Sequence, residues 1–73
     1  MDAEALLNLL ALGRKNFDAA NAARYDAQVA AESDPSLLPE FEQSRATQEA
    51  AAVALGEVQD ALDADIRARV AQL

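Results

Sequence analysis

One stripe of apolar and small residues runs through the first half of the chain. Leu6, Leu10, Gly13, Phe17, Ala20, Ala27 and Ala31 keep to alternating steps of four and three, with Arg24 standing in the same register. Such steps hold one face of a helix with 3.6 residues per turn, so the stripe predicts an amphipathic helix with a coiled-coil-like seam. Leu7 and Leu9 broaden that face over the first turns, and beyond Arg24 only Tyr25 and Val29 are large. Gly13, inside the seam, reads as a point of close helix approach rather than a hinge.

The second half carries two stripes side by side. Ala50, Ala54, Ala61 and Ala68 form a small-residue seam interrupted by Glu57, and Leu55, Val58, Leu62, Ile66 and Leu73 form a larger one next to it. Small residues let two backbones come close, while bulky ones fill the open side. The expectation is therefore that the Ala seam packs within a hairpin and the Leu/Val/Ile surface meets a second copy.

Strong punctuation occurs between the halves, in Glu32-Ser33-Asp34-Pro35-Ser36-Leu37-Leu38-Pro39. Asp34 is a candidate helix N-cap with Pro35 at the first helical position, and Pro39 limits how far back a regular second helix reaches. Phe41, Leu37 and Leu38 are placed to plug the core at the turn. The predicted organisation is a single domain over residues 1–73, with a helix over about 2–31, a turn over about 32–38 and a helix over about 39–72. So short a connection makes the helices antiparallel neighbours, each about 45 Å long. The fold class is all-α: an antiparallel helical hairpin, with two copies expected to dimerise into a four-helix bundle. Asp63–Arg67 and Asp65–Arg69 stand four apart in the favourable order, each pair contributing about 0.3 kcal/mol.

Composition agrees with helices. Nineteen of the 73 residues are Ala and ten are Leu, against six Val, Ile and Thr combined, and Ala and Leu lose little freedom in a helix. A chain below about 80 residues rarely builds a core worth more than a few kcal/mol, and this one has no Cys or His for staples or zinc. A lone two-helix rod leaves much surface uncovered, which points to a partner. No apolar stretch approaches the roughly 20 residues of a membrane span, and no basic, then apolar, leader opens the sequence. A cytoplasmic location follows as an expectation. Many Ala, Asp and Arg residues with a single Lys fit a GC-rich bacterial or phage coding sequence.

Charge and chemistry narrow the function by subtraction. The formal net charge is −7, which disfavours direct nucleic-acid binding. Arg14, Lys15, Arg24 and Arg45 make at most a weak basic patch. Hydroxyls exist at Ser33, Ser36, Ser44, Thr47 and Tyr25, but no His is present to activate one, so no catalytic site is expected. No cofactor is expected, and Asp60, Asp63 and Asp65 lack the partners of a metal site.

The expected function is thus a small acidic, non-enzymatic protein-interaction module: a regulator or inhibitor that binds and sequesters a larger protein, and itself a homodimer. Its interface residues are Leu6, Leu10, Phe17, Leu55, Val58, Leu62 and Ile66. An alternative is an acidic nucleic-acid mimic, whose Glu42, Glu49, Asp60 and Asp63 project from one side of the second helix and block a DNA- or RNA-binding protein. Another is a structural component of a phage or secretion assembly.

Overall fold

A computed structural model describes residues 2–73 and contains two long helices joined by one short 3-10 turn, with no strand among the described residues. Helix α1 spans Ala3–Ser33, the 3-10 turn Pro35–Leu37, and helix α2 Leu38–Ala71. The helices run antiparallel, with Gly13 against Leu55 and Asn21 against Gln48. They form a rod with extents of 58 × 14 × 14 Å.

The ends are set by local hydrogen bonding. Asp2 caps α1, its Oδ1 accepting from the Ala5 N–H at 2.7 Å, and its charge favours the helix N-terminus. Helix α1 continues two residues past the predicted Ala31. The Gln28 amide donates to Glu32 Oε1 at 3.3 Å and the Asp34 N–H reaches the Ala30 carbonyl at 2.9 Å, which closes that last turn. Asp34 then caps the 3-10 turn rather than a long helix. Its Oδ1 accepts from the Ser36 hydroxyl at 2.7 Å and the Ser36 N–H at 3.1 Å. Those bonds, the hydroxyl first and the backbone N–H second, hold its carboxyl below the usual aspartate range. Pro39 falls in the first turn of α2, where a missing N–H donor costs nothing.

The face that α1 turns inward is the predicted stripe. Leu6 and Ala20 are buried and Leu10, Gly13, Phe17, Arg24, Ala27 and Ala31 are half-buried. On α2 the predicted assignment is reversed. Leu55, Val58 and Leu62 are half-buried in the hairpin contact, while Ala50, Ala54, Ala61 and Ala68 are exposed. The reason lies in burial per residue: at roughly 25 cal/mol per Å² of apolar surface, a Leu or Val seam gains far more than an Ala seam. Close approach is still used once, from the other helix. A Cβ on Gly13 would stand 3.2 Å from Leu55 Cδ1, so the absent side chain makes room for Leu55. At the turn, Leu37 and Phe41 are half-buried as plugs, but Leu38 is exposed.

Candidate protein-interaction surfaces

Four surfaces surround the inner seam: the outer backs of α1 and α2, and two flanks. The seam holds most of the residues predicted to meet a partner. Leu6, Leu10, Phe17, Leu55, Val58 and Leu62 all lie there in whole or in part, whereas Ile66 stays largely exposed beyond them. The structure therefore brings six of the seven together inside one chain and leaves Ile66 for the outside.

The seam changes character midway. Between Phe17 and the Phe41 plug it carries Arg24, Ser44 and Gln48 in place of large apolar residues. The Gln48 amide donates to Asn21 Oδ1 at 2.6 Å, and its Oε1 accepts from Arg24 Nη1 at 3.1 Å. Arg24 Nε is buried without a hydrogen-bond partner. Ser44 satisfies itself by donating to the Phe41 carbonyl at 2.6 Å. Asn21, Arg24, Tyr25 and Gln28 line a shallow open notch of about 130 Å³ beside this network. Sequence reading passed over Gln48, although it is marked: Phe41, Gln48, Leu55 and Leu62 follow one another at steps of seven, the heptad repeat of a helix seam.

The outer back of α2 carries most of the acidic residues. Glu42, Glu49 and Asp60 are exposed there, and Asp63 is exposed on the flank beside Val70. Two of them are partly neutralised, Glu49 by Arg45 at 4.0 Å and Asp63 by Arg67 at 3.1 Å. Asp65 and Arg69 form a third pair at 3.0 Å. Asp65 Oδ2 is buried, and the Arg69 guanidinium is its ionic partner. No group of three metal-ligating side chains occurs among the described residues, and no helix is long and apolar enough to cross a membrane.

No protein-family model, curated protein or solved structure matches this chain.

The surfaces of the rod are unequal in apolar content. Ten large apolar or aromatic side chains are exposed among the described residues, and six of them (Leu7, Leu9, Leu12, Ile66, Val70 and Leu73) lie at the open end of the hairpin. With 100° of turn per residue, Leu7 shares a flank with Asn21 and Tyr25 of α1, and Ile66 and Val70 lie on that same side of the rod. Leu9 and Leu12 fall on the opposite flank, next to the exposed Ala seam of α2. Isolated exposed apolar residues are ordinary, but several at one end of a small charged rod make that end the candidate contact surface.

Proposed function

We propose that this chain is a small acidic, non-enzymatic interaction module that binds and sequesters a larger protein, as a regulator or inhibitor. One observation carries the reading: Leu7, Ile66 and Val70, exposed by 53%, 51% and 61%, cluster on one side of the open end. That is where the seam residues Leu6, Leu10 and Leu62 end and the hairpin has no further layer to cover them. The partner this chemistry fits has an apolar groove with a basic rim, since the chain around the patch carries a net charge of −7. Leu7 and Val70 would act as anchors in that groove, and the acidic back of α2 would speed encounter through long-range attraction.

The nucleic-acid mimic reading draws on the exposed acidic ladder. Arg45 and Arg67, set against Glu49 and Asp63, weaken it, because a phosphate mimic gains from unopposed charge.

A photo-crosslinking amino acid placed singly at Leu7, Val70, Glu42 or Glu49 separates the two readings in cells that make the chain. The interaction reading expects one protein adduct from positions 7 and 70, lost from position 70 when Leu7→Asp and Ile66→Asp are added and from position 7 when Ile66→Asp and Val70→Asp are added. Adducts confined to positions 42 and 49 would support the mimic and overturn the apolar docking surface. Adducts with other copies of the chain alone would remove the larger partner.

A further inference from the structure

The hairpin exposes more surface than its mass accounts for. Its accessible area is 5396 Å² at 7.7 kDa, whereas a compact monomer of that mass exposes about 4,300 Å². The surplus, roughly 1,100 Å², is of the size that one partner contributes to a stable interface, about 800 Å². A broad side of the rod, 58 by 14 Å, offers about that area in one face.

The flank away from the Asn21–Gln48 bond is suited to a second copy. Leu9, Leu12 and Ala23 of α1 and Ala50, Ala54 and Ala61 of α2 are exposed along it, and the helical turn places them on one side of the rod. Along α1 this flank carries no charge from Ala5 to Ala23, and on α2 one exposed charge, Glu57, interrupts the alanines while Asp65 stands at their edge. That matters for a chain of net charge −7, since like charges oppose self-association. Glu42, Glu49 and Asp60, on the outer back of α2, and Asp63, on the far flank, would point away from the partner.

We infer that a second copy of this chain packs on the Leu9–Leu12–Ala54–Ala61 flank, giving an antiparallel four-helix bundle with the acidic backs outside. The two-fold contact is self-complementary, with the leucines of one copy against the alanines of the other. Leu7, Ile66 and Val70 lie on the other side and stay free, so this inference stands or falls independently of the larger protein partner.

Light scattering on the full chain over a hundredfold dilution tests it, together with circular dichroism on each variant. The expected wild-type mass is twice 7.7 kDa. Ala54→Arg with Ala61→Arg should weaken self-association at least tenfold with helicity kept, and Ala52→Arg, exposed on the opposite flank, should leave it unchanged. A wild-type monomer at every concentration overturns the inference. So does a dimer that survives the double substitution, or one that Ala52→Arg disrupts equally. Should the double variant lose its helices, a nitroxide on A54C decides instead. Stronger dipolar broadening there than on A52C supports the packing, and equal or weaker broadening overturns it.

Discussion

The open half of the hairpin and the half nearest the turn are built from the same helices but held by different forces. In the open half Leu6, Leu10, Leu55, Val58 and Leu62 meet across the seam, and the contact is apolar burial. Toward the turn Arg24, Ser44 and Gln48 take the equivalent places ahead of the Leu37 and Phe41 plug, and the contact there includes a hydrogen-bonded chain through Asn21. Apolar burial is strong but tolerant of sliding, because one leucine fits many holes nearly as well. A polar network contributes little net stability but is satisfied in one alignment only. One half therefore supplies most of the adhesion, and the other sets the register in which the helices meet.

The largest effect should come from removing adhesion. Leu6 is only 4% exposed, and Leu6→Ala is expected to cost about 3 kcal/mol. In a hairpin with so few buried residues, urea denaturation should show a large fall in midpoint. If the midpoint barely moves, the two halves do not differ as described. A smaller effect belongs to the register. Gln48→Ala leaves Asn21 Oδ1 and Arg24 Nη1 without their partner and should cost about 1 kcal/mol. Replacing the trio together, with Asn21→Ala, Arg24→Leu and Gln48→Leu, should raise stability by about 1 kcal/mol or more while loosening alignment. Broadened amide resonances across the turn half, alongside a higher melting temperature, would show it. The smallest effect lies at the junction between the halves. Gly56→Ala meets nothing within 4 Å and should gain about 0.5–1 kcal/mol. Gly13→Ala gains the same helix propensity but pushes on Leu55, so the two should differ in thermal unfolding, with Gly56→Ala the more stable.

Much of this was legible in the residues. Two helices followed from the abundance of Ala and Leu with one cluster of breakers at Asp34–Pro39. The α1 stripe from Leu6 to Ala31 and the role of Gly13 followed from spacing alone. The α2 seam did not, because two apolar stripes about a third of a turn apart on average offer a helix two ways to face its neighbour. Choosing the Ala stripe gave weight to closeness of approach. The structure gives weight to buried area, and Gly13 supplies the closeness instead. That one rotation of α2 moved Leu55, Val58 and Leu62 from the outside to the inside and the alanines from the inside to the outside. Gln48 was missed because a polar residue in an apolar heptad looks like an interruption until its partners, Asn21 and Arg24, are seen across the gap.

The rod's proportions, 58 Å long by 14 Å wide, give the molecule an unusual rotational signature. Backbone N–H bonds in a helix lie nearly along its axis, so almost all of them here are parallel to the direction of slowest reorientation. Their correlation times should be nearly uniform and longer than that of a sphere of equal volume. Side-by-side pairing would widen the particle without lengthening it, whereas end-to-end contact through the open ends would lengthen it without widening it. The ratio of its tumbling rates about the long and short axes thus distinguishes the two assemblies.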